Sequence, residues 1–431
     1  MANAQQRSPY TPGSIAHRLP GRDVHLGRIN VHLTNLSVYR QLDGRVHVFV
    51  GPRGVGKTSL LRAAQRDAQN RTFTTVWATG GDSVSLSVDL ANEFDKLVTA
   101  KWTDAAKAAL TETLKTVRLN FGVASLQLAA GKDKDKDKDK DSPEFVGAAR
   151  ALQQAITAAA NGAVEAGSAG LVIFVDELQA ADPVGIRALA YAWQHMQAEA
   201  PELPAAVFAA GLSHTQDTVA SAVSFGERFE YRHLYNLSHD EAALALTAPA
   251  QESGVGWQPS ALDSVLRETE GYPYFIQEFG DKMWEAAGYP GPGGVLTMEH
   301  YGAALAEFEV ARNTLFRSRW AQATAAEQKL IAAMASLSDG DVKRKEVAAA
   351  MGVPSTAISM ARQSLMDKGL IEATSHGRMR FTAPGLAQYI RDYVAAETAY
   401  CEALALFQER GLAPAVVVQL NLGFVALRRG D

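Results

Sequence analysis

The segment from residue 51 to residue 59 has the residue types and spacing of a phosphate-binding loop. It follows an apolar stretch at 46–50 and reads Gly51-Pro52-Arg53-Gly54-Val55-Gly56-Lys57-Thr58-Ser59. Glycines let successive backbone N–H groups point at a phosphate, and the start of a following helix adds partial positive charge. Lys57 would neutralise the β- and γ-phosphates of a nucleotide, and Thr58 would place its hydroxyl on Mg²⁺. The pattern therefore predicts binding of ATP or ADP at residues 51–59.

A second candidate pair, Asp176 and Glu177, directly follows the apolar run at 171–175. In an open α/β sheet, ligands bind at the carboxyl ends of the strands, where these two carboxylates would lie. We expect Asp176 to hold Mg²⁺ through water, and Glu177 to orient and deprotonate the water that attacks the γ-phosphate. A strand that ends in Asp-Glu is a weak signal alone, and its position after a phosphate-binding loop strengthens it.

The elements around these residues alternate between strand and helix, which predicts a doubly wound α/β core. Strands are predicted at 46–50, 74–78, 171–175, 205–210 and 231–237, and helices at 23–42, 57–68 and 86–100. Alternating apolar residues at 117–123 favour a further strand or hairpin. The strict Lys/Asp alternation at 132–141 has nothing to bury, so we expect a solvated loop within an insertion at about 129–143.

Beyond residue 237 the pattern is helical. Ser238 and Glu241 have the spacing of a capping box, and further helices are predicted at 261–270, 275–287 and 298–320. The next segment predicts three helices, at 327–336, 345–351 and 354–368, followed by strands at 370–374 and 378–382. Three helices and a β-hairpin are typical of a winged helix–turn–helix.

Over residues 18–394 the chain resembles AAA-type P-loop ATPases of the branch that holds archaeal ATPases, origin-recognition-like initiators and signal-transduction (STAND) ATPases. The resemblance rests on the order and spacing of the phosphate-binding loop and three short motifs, at 19–23, 175–179 and 271–273. It implies an α/β AAA-type core with a parallel sheet, then a helical lid domain and a winged-helix domain. The corresponding boundaries are an arm at 1–18, the core at 19–237, the lid at 238–320, the winged helix at 324–394 and a tail at 395–431.

The resemblance also implies roles for single residues. Arg22 would lie near the adenine, and Pro273 of the Gly271-Tyr272-Pro273 motif would contact the nucleotide from the lid. Ser213 or His214, after the strand at 205–210, would sense the γ-phosphate. Arg228 would be an arginine finger for a neighbour's site, which implies a nucleotide-dependent homo-oligomer. The helix after Pro273 departs from many relatives, because it offers Gln277 and Lys282 but no arginine for a second sensor.

Residues 343–382 are a candidate surface for double-stranded DNA. Residues 324–394 carry nine Lys or Arg and seven Asp or Glu, a slight positive excess. The residues expected to face DNA, whose side chains suit phosphates and base edges, are Thr356, Ser359, Arg362, Gln363, Lys368, His376, Arg378 and Arg380. The alternative is a signalling switch with slow or no turnover whose winged helix docks a protein partner. An accessory ATPase of transposition or defence is a third possibility.

Composition sets outer limits on function. Hydrophobic residues make up 47% and charged residues 21%, which argues against wholesale disorder, and the net charge of −5 excludes a globally basic nucleic-acid coat protein. Cys401 is the single cysteine, so an intramolecular disulfide or cysteine-cluster metal site is excluded. The amino-terminal residues lack the apolar region of a secretory signal, and no apolar run reaches the length of a membrane span. We expect a cytoplasmic protein without a membrane partner.

Overall fold

The computed structural model describes residues 5–16, 18–81, 84–129, 143–223 and 226–409. The predicted Lys/Asp loop at 132–141 and the end of the predicted tail lie outside these residues. The chain forms two compact units. We call Ile15–Gly51 with Gly56–Tyr235 the core unit. The helical unit consists of the described residues up to Ser14, the short segment Pro52–Val55 and the described residues from Asn236 onward.

The core unit is built on a five-stranded sheet in which every neighbouring pair is parallel. Its strands are β1 (Val46–Val50), β2 (Thr74–Thr79), β3 (Leu171–Asp176), β4 (Ala205–Gly211) and β5 (Phe229–His233), in the order β2-β3-β4-β1-β5. Strands β3, β4 and β1 are buried along their whole length, which explains why their sequences are apolar except for His47 in β1 and Asp176 at the end of β3. The predicted α/β class is confirmed. The last strand begins two residues before its predicted start at residue 231 and ends at His233 instead of residue 237.

Seven helices cover this sheet in the described part of the core unit. They are α1 (Asp23–Tyr39), α2 (Lys57–Asn70), α3 (Leu86–Asp95), α4 (Asp104–Ala129), α5 (Pro143–Glu165), α6 (Pro183–Glu199) and α7 (Thr215–Ala222). Two short 3₁₀ turns, Leu178–Ala180 and Gly226–Arg228, follow β3 and precede β5.

The predicted strand or hairpin at 117–123 is wrong, because these residues belong to α4. The buried residues of that helix are Leu110, Leu114, Val117 and Phe121, a spacing of four, three and four that follows one helix face. Leu119, which completed the alternating pattern, is 69% exposed. The burial pattern of this segment therefore follows the helical period and not the alternation of a strand.

The helical unit begins with four helices and a small two-stranded sheet. The helices are α8 (His239–Glu252), α9 (Pro259–Thr269), α10 (Pro273–Ala286) and α11 (Met298–Gln322), and strands β6 (Gly256–Trp257) and β7 (Val295–Leu296) pair with each other. The capping box predicted for Ser238 and Glu241 is present at the start of α8. Part of the amino-terminal arm packs here, because Tyr10 is buried and its hydroxyl donates to the Leu246 carbonyl.

The rest of the helical unit combines helices with a three-stranded antiparallel sheet of order β8-β10-β9. Its elements are α12 (Ala325–Leu337), β8 (Val342–Lys343), α13 (Arg344–Ala350), α14 (Ser359–Asp367), β9 (Ile371–Ser375), β10 (Arg378–Phe381) and α15 (Leu386–Glu409). The three predicted helices and the hairpin are present, but α14 begins at Ser359 and not at residue 354. Helix α15 continues through the predicted border at 394. No helix in the described ranges is long and apolar enough to cross a membrane.

Candidate nucleotide-binding site

The phosphate-binding loop leaves β1 and ends where α2 begins. Gly54 and Gly56 have φ angles of +83° and +95°, a left-handed conformation that side chains rarely adopt, so glycine is needed at both positions. Lys57 is the first residue of α2, is only 6% exposed, and donates from Nζ to the Gly51 carbonyl at 2.9 Å. The loop therefore curls around a buried ammonium group, as binding of a polyphosphate requires.

Thr58 and Asp176 meet at the carboxyl ends of the strands. The Thr58 hydroxyl donates to Asp176 Oδ2 at 2.8 Å, and Asp176, which ends β3, is 6% exposed. Burial raises the pKa of the Asp176 carboxyl, and the hydrogen bond from Thr58 only partly opposes this effect. Hydroxyl and carboxylate oxygens are the ligands that Mg²⁺ prefers, so this pair fits the cation that accompanies a nucleotide.

Glu177 is held in an unusual backbone conformation beside this pair. Its φ of +51° is left-handed, and its N–H donates to Asp176 Oδ1 at 3.0 Å. A methyl group on Gly80 would lie 2.3 Å from the Glu177 carbonyl oxygen, so glycine is needed at the position that directly follows β2. The surrounding backbone thus fixes the position of the Glu177 backbone, and a carboxylate that activates water needs such a fixed support.

Gln179 is a site residue that the sequence reasoning did not single out. Its amide nitrogen donates to the Glu177 carboxylate, and its amide oxygen accepts from the Leu212 N–H at 2.9 Å. Gln179 therefore joins the end of β3 to the end of β4 and orients Glu177. The run Val175–Gln179 contained it, but only the structure reveals these two bonds.

Ser213 and His214 follow β4, the strand that lies between β3 and β1. Their loop therefore emerges between the strand that ends in Asp176 and the strand that leads into the phosphate-binding loop. Ser213 is half-buried and His214 is buried. Both lie at the correct edge of the sheet, and the choice between them as γ-phosphate sensor stays a prediction.

Arg22 also lies at this edge. Its Nη2 donates to the Tyr235 carbonyl at 2.7 Å, and Leu234 N–H donates to the Val50 carbonyl at 2.7 Å, which places the chain after β5 beside the end of β1. Ser59 has a structural contact instead, because its hydroxyl accepts from the Ala16 N–H at 3.2 Å. The predicted nucleotide contacts of both residues stay predictions.

Arg228 lies at the opposite edge of the sheet. It immediately precedes Phe229, which pairs with Val46 at the start of β1, and its guanidinium donates to the Gln197 side chain. The structure therefore does not bring Arg228 to the phosphate-binding loop of the same chain. An arginine finger at this position would have to act on a second copy.

The Gly271-Tyr272-Pro273 motif lies at the start of α10, with Pro273 as the first helical residue. Tyr272 is fully buried and donates from its hydroxyl to the Arg53 carbonyl at 2.6 Å, a contact inside the helical unit as defined above. A methyl group on Gly54 would lie 2.2 Å from that hydroxyl oxygen. Position 54 therefore requires glycine for two reasons, its left-handed backbone and its close approach to Tyr272.

The sequence reasoning missed a buried arginine that contacts the Tyr272 hydroxyl. Arg319 of α11 is 9% exposed, its Nη2 is 3.4 Å from the Tyr272 hydroxyl, and its Nη1 has no hydrogen-bond partner within the described ranges. Gln277 and Lys282, the polar residues noted for α10, contact Thr11 and Glu285. No spacing in the sequence links Arg319 to Tyr272.

Two cations expected to face DNA are paired with carboxylates. Lys368 Nζ lies 2.6 Å from Glu327, and Arg380 Nη2 lies 2.7 Å from Glu372, both buried acids. Burial acts to raise the pKa of Glu327, but the hydrogen bonds from Lys368, Ser364 and the Thr324 N–H, with the charge of Lys368, together outweigh it, and the pKa falls to about 2. Of the other expected residues, Arg362 and Arg378 are half-buried, and the exposed ones are Thr356, Ser359, Gln363 and His376.

Comparison with known families identifies two segments. Residues 18–208 match the AAA ATPase domain, and residues 313–390 match a domain of unknown function (DUF8462). The amino-terminal part of this chain is an AAA ATPase domain. No curated protein matches the chain.

Two solved archaeal structures share the fold of this chain over nearly their whole length. The Aeropyrum pernix ORC2 protein, in ADPNP–ADP complexes, is 14% identical with a TM-score of 0.52, and the match covers 92% of this chain and 99% of that protein. A Walker-type ATPase of Pyrococcus abyssi is 12% identical with a TM-score of 0.54, covering 88% and 98%. At such identity the similarity shows the fold: an AAA-type core, a helical region and a carboxyl-terminal domain with a small antiparallel sheet.

Proposed function

We propose that this chain is a Mg²⁺-dependent ATPase whose nucleotide state controls the winged-helix segment 343–382. The observation that carries the proposal is the hydrogen bond of 2.8 Å between Thr58 and Asp176, next to the buried ammonium of Lys57. A hydroxyl, a carboxylate and an ammonium group are the three groups that Mg²⁺–ATP needs from such a loop. The nucleotide in the Aeropyrum ORC2 structure supports ATP or ADP as the ligand.

In this proposal the residues have separate roles. Lys57 and the backbone of the phosphate-binding loop hold the phosphates, while Thr58 and Asp176 hold the cation. Bound Mg²⁺ also supplies positive charge that offsets the cost of an ionised, buried Asp176. Glu177, oriented by Gln179, accepts the proton of the attacking water.

Two substitutions separate binding from hydrolysis. Lys57→Ala should lose most nucleotide binding, because the loop has no other lysine, whereas Glu177→Gln should bind ATP normally and hydrolyse it at least a hundredfold more slowly. Binding is measured with fluorescent ATP and turnover by phosphate release. Glu202→Gln, an exposed residue of the core unit, is the matched control. Parental binding and parental turnover in both site variants would refute the assignment.

We further propose double-stranded DNA as the target of residues 343–382, with exposed polar groups on α14 and arginines on β10 as the contacts. The second candidate is a signalling switch that docks a protein partner. The pairing of Lys368 and Arg380 with buried acids favours this candidate, because paired cations attract phosphates less.

Turnover with and without duplex DNA distinguishes the two functions. DNA-stimulated hydrolysis supports the first, and a tightly held nucleotide with negligible turnover supports the second. For DNA binding itself, Arg362→Glu combined with Arg378→Glu should weaken affinity strongly and leave DNA-free hydrolysis unchanged. Lys329→Glu, a charge reversal at an exposed residue of α12 outside the segment, controls for the effect of a reversed charge elsewhere on this unit. Parental DNA affinity in the double variant would exclude this surface.

A further inference from the structure

Three metal-ligating side chains converge in the core unit, away from the nucleotide site. They are His32 of α1, Asp43 in the loop before β1, and His47 of β1, and one ligand atom from each lies within 4.8 Å of the others. His47 is the second residue of β1, so the cluster is near the amino end of the sheet. Lys57 and Asp176 lie at the carboxyl ends of the strands, on the other side of the sheet's length.

One carboxylate oxygen forms the centre of this cluster. Asp43 Oδ2 lies 2.8 Å from His32 Nδ1 and 3.0 Å from His47 Nε2. Ligands bound to Zn²⁺ at about 2.0–2.1 Å in a tetrahedron are separated by about 3.3 Å. The two separations from Asp43 would therefore open by about 0.3–0.5 Å around such a cation, and the ligand atoms of the two histidines are already within 4.8 Å of each other.

The hydrogen bonding of His47 points to a ligand. Its Nδ1 lies 3.0 Å from Glu230 Oε2, and since an ionised carboxylate only accepts, Nδ1 carries the hydrogen. In a neutral ring, Nε2 then carries the lone pair and faces Asp43. This nitrogen is buried without a hydrogen-bond partner in the described structure, and His47 is only 2% exposed. A lone pair that faces a carboxylate is unfavourable unless a cation lies between them.

The groups behind the cluster hold it in place. The Arg45 N–H approaches Asp43 Oδ1 at 3.4 Å, which leaves Oδ2 for the imidazoles. Backbone bonds fix the loop, because the Asp43 N–H donates to the Ala205 carbonyl and the Trp193 indole N–H donates to the Asp43 carbonyl, both at 2.9 Å.

We propose that His32, Asp43 and His47 bind a divalent transition-metal ion of the Zn²⁺ class, with Glu230 orienting His47. Two imidazoles and one carboxylate suit Zn²⁺, and a carboxylate on the second imidazole nitrogen is the usual support of a metal-bound histidine. Three protein ligands leave the fourth position to water, on the side where His32 is 26% exposed. The ion would join α1 to the start of β1.

Zinc titration of the tag-free, chelator-treated chain tests the proposal, with excess Mg²⁺ present to occupy Thr58 and Asp176. The parent should retain one Zn²⁺ per chain after desalting, melt at a higher temperature with zinc, and give a tetrahedral visible spectrum with Co²⁺. His32→Ala and Asp43→Asn should each lose the bound zinc. Glu230→Gln should weaken affinity about 10–100-fold, as expected for loss of a supporting carboxylate.

His239→Ala, which removes an exposed histidine of the helical unit, is the matched control and should bind like the parent. Circular dichroism of each metal-free variant shows whether it is folded. His32 is the most exposed of the three ligands, so His32→Ala keeps the test decisive if the Asp43 variant unfolds. Failure of the parent to retain zinc, or parental affinity in folded His32→Ala, would mean that the cluster is only a hydrogen-bonded network and would overturn the proposal.

Discussion

The structure predicts that Gln179 sets the rate of hydrolysis without setting the affinity for ATP. Gln179→Ala removes the donor that orients the Glu177 carboxylate and the acceptor for the Leu212 N–H. A hydrogen bond to a charged group contributes about 1.5–3 kcal/mol. If the hydrogen bond stabilises the transition state by this amount, its loss raises the activation free energy equally. Each increase of about 1.4 kcal/mol slows the reaction tenfold, so turnover should be about 10–150-fold slower.

Gln179→Glu separates the two bonds. The new carboxylate can still accept from Leu212, so the variant should melt closer to the parent than Gln179→Ala does. It also places a second negative charge beside Glu177, where at about 4 Å like charges repel by about 4 kcal/mol in a medium of dielectric constant near 20. The two carboxylates will turn apart or share a proton, and turnover should fall at least as far as in the alanine variant.

Phosphate-release kinetics and ATP titrations measure both effects. The Michaelis constant or binding constant should change little, because Lys57, Thr58 and Asp176 are untouched. Gln216→Ala, an exposed glutamine on α7, is the control and should behave as the parent. A folded Gln179→Ala protein that hydrolyses ATP at the parental rate would refute the assignment of Gln179 as a positioning residue for Glu177.

Two further predictions concern assembly and acid stability. If Arg228 acts on a second copy, Arg228→Ala should bind ATP normally with turnover at least a hundredfold lower, and mixing it with Glu177→Gln protein should restore activity. If mixing restores no activity and the protein is a monomer on a sizing column in the presence of ATP, the assignment of Arg228 as an arginine finger is contradicted. The low pKa of Glu327 means that its ion pair stabilises the fold above about pH 4.5 and that this contribution is lost as the pH falls towards about 2. Lys368→Ala should reduce the dependence of the urea midpoint on pH in that interval, and an unchanged dependence would contradict the pairing.

Much of the core could be predicted because its chemistry is local. Strands β1, β3 and β4 are buried on both faces, so their sequences are predominantly apolar, and each predicted bound lies within one residue of the structure. The phosphate-binding loop and the Ser238 cap are likewise short-range patterns. The segment at 117–123 shows the limit of this reasoning, since a few alternating residues imitated a strand inside a helix whose full period was visible from Leu110 onward.

The features that were not predicted depend on distant parts of the chain. Arg319 and Tyr272 are 47 positions apart, and Gln179 and Leu212 are 33 apart. The cluster of His32, Asp43 and His47 requires α1 to pack beside the start of β1. No residue pattern encodes such distances, because they arise from the packing of elements and not from any one of them.

The ion pairs of the winged-helix segment lead to a last prediction about DNA. Residues 343–382 contain seven lysines and arginines, of which Lys343, Lys368 and Arg380 are paired with acidic side chains. Breaking the pair of Lys368 would remove the cation that neutralises the buried Glu327 carboxylate, so DNA should not recruit Lys368.

Each phosphate contact adds about 0.9 to the slope of log affinity against log salt concentration. Seven contacts would give a slope near −6, whereas a surface that keeps its three pairs gives a slope no steeper than about −4. Fluorescence anisotropy with a labelled duplex, measured from low to moderate salt, distinguishes these values. A slope near −6 would show that the pairs open on DNA. The absence of binding at low salt would leave the protein-docking switch as the better account of this surface, because its buried acids already neutralise the charge that DNA requires.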